Sequence, residues 1–490
     1  MKKYLAILFL FSCPLVYGQD FPGYRTGNYT GVNAVFFNPA NIADSRYRWD
    51  FNLLGIGTGV SNNKASFRLK DIGRTLDIDS LKNKVFSENS GPSSGLASFV
   101  LNGPSLLFNL NKRSSIALTT RARAMVNIID IDGKLAQQLM DGDDDPDFPY
   151  TISSTENMLI NANGWTEFGL SYARVFKEEG AHFLKGGFTI KYLAGAANTY
   201  INVDHLNATI NMDDVHDDSY LSNASGKLGL GFGGINTSDF EISDLLKFKS
   251  TGFGADLGIV YEYRPNAEAH VLSETGEMRR DLNKYKVRIG LALLDIGSIK
   301  YERDISRSGE YAIHINGAQR FYLAALADAG VDDFKDTLNK YPQFFTPSST
   351  NGSGNYKVSL PTTLQFDADY HFHKGFYVNL GAQIALTQSN RKTYTSQYYN
   401  AFSLTPRYEG RAIGLYVPLT YNALTDFTAG VSLRLGPLFF GSGSILSAAL
   451  GGSKQADVFV GLRYGGLQKN KEKKYQKKKK RSNKKENEPE

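Results

Sequence analysis

Residues Thr363–His373 read TLQFDADYHFH, and after Lys374-Gly375 the chain continues as FYVNLGAQIALT over Phe376–Thr387. In the first run Leu364, Phe366, Ala368, Tyr370 and Phe372 fall on one face, and Thr363, Gln365, Asp367, Asp369, His371 and His373 on the other. Side chains of a strand alternate in direction, so this spacing predicts one apolar and one polar face. Phe376, Val378, Leu380, Ala382, Ile384 and Leu386 repeat the apolar face beyond the turn, opposite Tyr377, Asn379, Gly381, Gln383 and Thr387. The pair reads as a long hairpin closed at Lys374-Gly375. The same period recurs in Ser115–Asn127, Phe253–Arg264 and Tyr285–Leu293. Strands of a soluble sandwich average about half this length. Alternating segments of about ten residues with Tyr and Phe near their ends fit a transmembrane antiparallel β-barrel, all-β, with an even strand count.

Length and composition agree. A chain of 490 residues exceeds a comfortable single core and calls for two domains or one large closed architecture. Charged residues at 21% and a mean hydropathy of -0.31 exclude a multi-helix membrane protein and a disordered one. Forty-eight Gly, 28 Tyr and 31 Phe suit paired strands and tight turns.

The formal charge of +6 would suggest a polyanion partner if it were spread over the fold. Residues 469–490 hold eleven Lys or Arg against four Glu, a net of +7, which leaves the rest of the chain at −1. The folded part therefore offers no electrostatic case for nucleic acid. At the other end Lys2 and Lys3 precede the apolar run Tyr4–Phe11, and Val16-Tyr17-Gly18 suits cleavage before Gln19, so residues 1–18 read as a signal peptide. The alternative is a lipoprotein signal at Cys13, against which stand Phe11 and Pro14. Cleavage before Gln19 removes the only Cys, which excludes disulfides and Cys-based metal sites in the mature chain. The expected organisation is signal peptide 1–18, an N-terminal plug-like segment 19–48, a barrel over 49–466 with long extracellular loops, and a disordered Lys-rich periplasmic tail 467–490. The long polar stretches are placed near 68–100, 130–162, 202–225, 265–283 and 303–355, with short helices at Gly133–Met140 and Ser238–Lys249.

Gly31-Val32-Asn33-Ala34-Val35-Phe36-Phe37-Asn38-Pro39-Ala40-Asn41-Ile42-Ala43 resembles the N-terminal motif of the outer-membrane FadL/PorV-type barrels. There an Asn-Pro-Ala element belongs to a plug, which makes Asn38, Pro39 and Ala40 the plug motif by resemblance. The stretches Gly436–Gly443 and Ala456–Tyr464 look like the end of a related Bacteroidota outer-membrane family of unknown function. The resemblance implies about 14 strands and a cell outer membrane location, with outer-membrane lipid around the wall. It also implies a channel or transporter for a small or hydrophobic solute. The alternative is a non-enzymatic structural or assembly subunit of an envelope or type 9 secretion or gliding machinery, supported by the long loops and by the basic tail as a docking arm for a periplasmic or secretion-machinery partner.

Lumen-facing candidates follow from parity: Arg121, Arg123, Asp256, Glu262, Asp367, Asp369, His371 and His373. Mixed signs allow cross-lumen ion pairs and fit either a plugged barrel or a narrow route. No Ser-His-acid set or carboxylate pair falls on one rim, so no catalytic residue and no cofactor is expected. Gly91-Pro92-Ser93-Ser94-Gly95 lacks the strand and helix of a nucleophile elbow and reads as a loop. Gly229, Gly231, Gly233 and Gly234 read as strand glycines easing barrel curvature rather than a dinucleotide turn. Asp141, Asp143, Asp145 and Asp147 have calcium-loop spacing, but Pro146 and Ile152 occupy the turn-Gly and bidentate-Glu positions. His371 and His373 beside a turn read as polar groups, not as a metal site.

Overall fold

The computed structural model describes residues 20–71, 91–140, 148–154, 157–235, 250–272, 276, 278–327, 329–330, 333–348, 354–387 and 394–468. The signal peptide, the Asp141–Asp147 run, the helix expected at Ser238–Lys249 and the tail from Lys469 lie outside them.

Fourteen antiparallel strands close into a barrel. They are β1 (Tyr47–Asn62), β2 (Ser93–Asn102 and Ser105–Asn109), β3 (Ser114–Ile131), β4 (Asn157–Glu179), β5 (His182–Asp213), β6 (Ser250–Tyr263) and β7 (Val287–Tyr301). Next come β8 (Tyr356–Ser359 and Thr363–His373), β9 (Phe376–Ala385), β10 (Ala401–Glu409), β11 (Ile413–Tyr416 and Leu419–Asn422), β12 (Asp426–Ala429 and Val431–Leu435), β13 (Leu438–Ser442) and β14 (Gln455–Leu467). Closure is by β1 on β14, from Tyr47 opposite Leu467 to Ser61 opposite Gln455. Pro104, Pro361 and Pro418 sit at three of the strand breaks, where a missing N–H interrupts the ladder.

Short turns gather at one end, including Gly180-Ala181, Lys374-Gly375 and Gly436-Pro437. The described chain also finishes there, where the Gln468 N–H donates to the Arg46 carbonyl at 2.8 Å. The hairpin of β8 and β9 has the predicted faces: Phe366 and Leu380 are 37% and 52% exposed on the outside, while Gln365, Asp369, Asn379 and Gln383 are buried inside. Leu170, Ile190, Leu257, Leu291 and Leu404 continue the exposed apolar band around the wall. Trp49, Phe176, Phe372, Phe376, Tyr408 and Tyr464 ring the turn end, and Phe253, Phe402, Tyr421 and Phe427 the other. An apolar belt between aromatic rows on a closed barrel is the surface of a membrane-spanning wall.

Four sequence expectations need correction. The stretch 202–225 is not a loop: β5 runs on to Asp213, and a returning strand Asp218–Gly234 pairs with it. Gly309–Ile315, Phe321–Tyr322 and Phe345–Pro347 extend that sheet, so 303–355 is also partly strand. Its core holds Leu206, Ile210, Leu221, Leu230, Phe321 and Phe345, packed with helices α1 (Gly133–Met140, as expected), α2 (Ala324–Ala327) and α3 (Phe334–Asn339). Second, 265–283 joins β6 to β7 at the turn end, opposite the long loops. Third, Ser93–Gly95 opens β2 rather than lying in a loop. Fourth, Gly231 and Gly233 lie on the returning strand outside the barrel wall and make room for tyrosines. A Cβ at Gly231 would stand 1.9 Å from the Tyr200 ring, and one at Gly233 would stand 2.8 Å from the Tyr356 hydroxyl.

Candidate functional site in the barrel lumen

A wall of eight strands is filled by its own side chains, whereas fourteen strands enclose space that something else must occupy. Here the occupants are two chain segments, one toward each end of the barrel. Residues Asp20–Arg46 fold inside it as short 3-10 turns, Tyr24–Thr26, Gly31–Phe36 and Pro39–Ile42, most of them buried and none exposed. They lead from Asp20 inside the lumen to Arg46 at the turn end, where β1 begins. Such turns suit a Gly- and Asn-rich segment, which satisfies its backbone locally and through the wall.

Asn38, Pro39 and Ala40 form the third turn. Asn38 caps it by accepting from the Ala40 N–H at 2.9 Å, and its amide N–H donates to the Ile259 and Leu291 carbonyls of β6 and β7 at 3.3 and 3.2 Å. The wall is glycine where this turn lies on it. A Cβ at Gly258 would stand 2.1 Å from Asn38 Oδ1, and one at Gly187 would stand 2.8 Å from the Ala40 nitrogen. Gly258→Ala is therefore expected to unseat Asn38 at a cost of about 1–3 kcal/mol, the loss of buried hydrogen bonds. Trypsin should then cut the folded barrel faster at Arg25 and Arg46; unchanged cleavage would show that the turn does not depend on the glycine floor.

The plug is tied to the closing seam. Arg463 of β14 pairs with Asp50 of β1 and donates to the Tyr29 carbonyl, the Tyr47 hydroxyl and the Tyr24 hydroxyl, while Asp50 also accepts the Val32 N–H at 2.7 Å. Gly31 sits against this pair at a φ of +58°, a position where a side chain would meet both partners. Phe21 and Tyr24 pack on Phe439 and Phe459, with Tyr24 stacked on Phe439 at 4.2 Å. Across the lumen the Asn28 backbone and amide donate to Glu409, and Asn28 Oδ1 accepts from Tyr285 and Arg288. The alternation along Tyr285–Leu293 puts Tyr285 on the apolar face with Val287 and Ile289, yet it points inward, hydrogen-bonded to Asp369 at 2.6 Å, because the strand proper begins only at Val287.

At the turn-end mouth Asp44 receives Lys284 and Arg264, each at 2.8 Å, with Arg280 at 3.6 Å. Burial alone would raise the Asp44 carboxyl, but Lys284 and Arg264 outweigh it and hold the group well below the ordinary carboxylate range. A depressed folded pKa gives stability that is complete above the unfolded value near 3.8 and lost as pH falls below it. The urea midpoint is expected to show no loss from this contact between pH 8 and about pH 5 and a fall at lower pH, and Asp44→Asn should flatten that fall. A low-pH fall equally steep in the variant would assign it to other carboxylates.

Deeper in, one buried network spans several strands. Arg123 contacts Glu167 at 3.0 Å, Asp295 at 2.8 Å and the Tyr398 hydroxyl at 2.7 Å, and its guanidinium lies over the Trp165 ring. Lys191 contacts Asp256 at 2.8 Å, Asp295 at 2.6 Å and Glu167 at 3.5 Å. Arg121 pairs with Asp20 at the start of the plug. Tyr398 belongs to a second insert, Tyr394–Tyr399, which folds inward from the loop end. Gln397 and Asn127 exchange two hydrogen bonds at 2.9 and 3.0 Å, and Tyr394 stacks on Tyr200 at 3.3 Å. Buried ion pairs of this kind fix geometry more than they add stability.

Of the candidates, Arg121, Arg123, Asp256, Glu262 and Asp369 are buried in the lumen, though in separate groups. Arg123 and Asp256 share the deep network, Glu262 joins Arg264 and Lys185 at the mouth, and Asp369 holds Arg407 through two contacts of 2.5 and 2.7 Å. Asp367 is partly exposed, 3.8 Å from Arg288. His371 stacks on Tyr377 and contacts the Lys374 carbonyl, and His373 is exposed at the turn rather than facing the lumen, because the strand ends there. Asp295 escaped parity because a bulge between Leu293 and Ile296 turns it inward. Trp165 carried a usable signal, having the parity of Glu167; the Tyr394–Tyr399 insert carried none.

Known proteins with similar structures are barrels. The Ralstonia pickettii toluene transporter TbuX is 11% identical, covering 89% of this chain and 94% of its own, with a TM-score of 0.37. A mutant of the monoaromatic hydrocarbon channel TodX is 9% identical, covering 90% of this chain and 95% of its own, with a TM-score of 0.43. A Pseudomonas aeruginosa FadL homologue is 12% identical, covering 92% and 98%, with a TM-score of 0.30. Likeness at these scores carries no activity over to this chain. No curated protein gives a significant match. The model of the family of unknown function (DUF5723) matches residues 39–443, from the plug's Pro39 through thirteen strands of the wall, and the chain belongs to that family.

Proposed function

We propose that this protein is an outer-membrane transport barrel, closed at rest, with its turn end and basic tail in the periplasm. The observation that carries the reading is the double occupancy of the lumen. Wall side chains meet in its middle, and two chain segments occupy the rest, one toward each end, both joined to the wall by hydrogen bonds and ion pairs that water can replace. The loop half of the interior is lined by Trp165, Tyr200, Tyr301, Tyr356 and Tyr394, and the half below it by charged groups. That order suits a small solute with an apolar part and a polar group. Reconstituted in liposomes, the native barrel should admit such solutes slowly, and Asn38→Ala should raise the rate. If trypsin shows the variant's plug released and the rate stays at the protein-free level, transport is excluded.

A second reading, an assembly subunit of envelope or secretion machinery, is favoured by the loop-end sheet, which has its own hydrophobic core and presents a folded surface. Affinity purification from outer membranes through a tag on the chain separates the two. Stoichiometric co-purification with secretion components supports assembly, and deletion after Leu467 asks whether the basic tail holds the partner.

A further inference from the structure

Between the plug and the 264–286 connection lies a cavity of about 60 Å³ that opens at the turn end. Its lining is unbalanced: Arg46, Lys185, Arg280, Lys284 and Arg288 face it, against two carboxylates, Asp44 and Glu262. The pairing distances show that each of the two carboxylates is shared by more than one cation. Asp44 is shared by Lys284, Arg264 and Arg280, and Arg264 also pairs with Glu178 at 3.4 Å. The Lys185 ammonium donates to the Ala43 carbonyl at 2.9 Å and lies 3.8 Å from Glu262, which is itself held by Arg264 at 2.5 Å. Arg288 stands 3.7 and 3.8 Å from Asp369 and Asp367 and donates to Asn28 Oδ1 and the Thr26 carbonyl, while Arg46 lies over the Tyr29 ring with the charge of Glu409 acting on it. Bulk water screens this excess poorly, since Lys185 and Lys284 are both buried.

Buried cations in excess of their carboxylates are costly unless an anion completes them. We infer that this cavity is a binding site for a phosphate-type oxyanion, either free phosphate or the phosphate of a lipid headgroup in the adjoining leaflet. The volume suits it: at about 10–15 Å³ for each water-sized place the cavity offers roughly four to six, comparable to the five heavy atoms of phosphate. Arginine forks with a lysine are also the donors that phosphate oxygens take best. Because Asp44 closes the plug and Lys284 belongs to the connection, a bound oxyanion would fasten the one to the other.

The test uses the full-length protein in phosphate-free detergent, titrated calorimetrically with inorganic phosphate and, separately, with dioctanoyl phosphatidylglycerol. Saturable binding is expected, weakened about tenfold or more in Arg280→Gln and in Lys284→Gln, as for the loss of one charge-assisted hydrogen bond. Arg280 is partly exposed, so its variant keeps the fold even if Lys284→Gln disturbs Asp44; heat-modifiable migration confirms this. Phosphate binding without lipid binding assigns a free oxyanion, and lipid binding that phosphate displaces assigns a headgroup. No saturable binding of either probe to the native protein, or binding unchanged in both variants, overturns the site.

Discussion

Replacing Arg463 with Met is expected to destabilise the barrel by about 3–5 kcal/mol, the cost of leaving one member of a buried ion pair without its partner. Asp50 and Arg463 have side chains 0% and 2% exposed, and the pair joins the first strand to the last where the plug's Gly31 packs on the seam. The substitution strips the Tyr29 carbonyl of its donor as well, so the plug should loosen with the seam. Urea titration of the heat-modifiable band measures the loss. The double variant Asp50→Asn with Arg463→Met should lose less than the two single variants together, since it buries no orphan charge. A single-variant loss below about 1 kcal/mol would mean the pair is solvated and the plug is seated elsewhere.

Leu380→Arg is the second large effect. Leu380 lies midway along β9, 52% exposed on the outer face, opposite Ala368 and Leu404. A guanidinium at the bilayer midplane costs about 2–4 kcal/mol. The inward neighbour gives the contrast: Gln383 bonds Gln365, which in turn accepts from Arg25 of the plug at 2.8 Å, so Gln383→Glu places a carboxylate near a guanidinium and should cost far less. Refolding yield into vesicles at graded urea measures both, and equal losses would show that the outer face of β9 does not meet lipid.

The hairpin of β8 and β9 was legible because lipid outside and a polar interior impose opposite demands on successive residues, and Phe366 and Asp367 each meet one of them. The same contrast disappears beyond the membrane. Leu206, Ala208 and Ile210 do alternate along β5, but Asn207, Thr209 and Asn211 between them are polar residues common in turns, and the segment reads as a loop until its partner strand is seen. Parity also fails wherever a residue is inserted, which is why Asp295 was missed while Asp256, its neighbour in the network, was found. The plug motif was visible only by resemblance. Its seat was not, because Gly187, Gly258 and Gly290 come from three strands, and each looks locally like any strand glycine. The Tyr394–Tyr399 insert depends wholly on partners such as Asn127 and Tyr200, remote in the chain.

Single-channel recording in planar bilayers tests most directly whether the lumen is a gated route. The native protein should be closed for most of the record, with brief steps when plug and insert leave together. Arg463→Met, kept under conditions where the barrel remains folded, should lengthen or multiply those steps. A native barrel that conducts continuously would contradict the closed interior described above, and a folded variant with a trypsin-accessible plug that never conducts would contradict the transport reading itself.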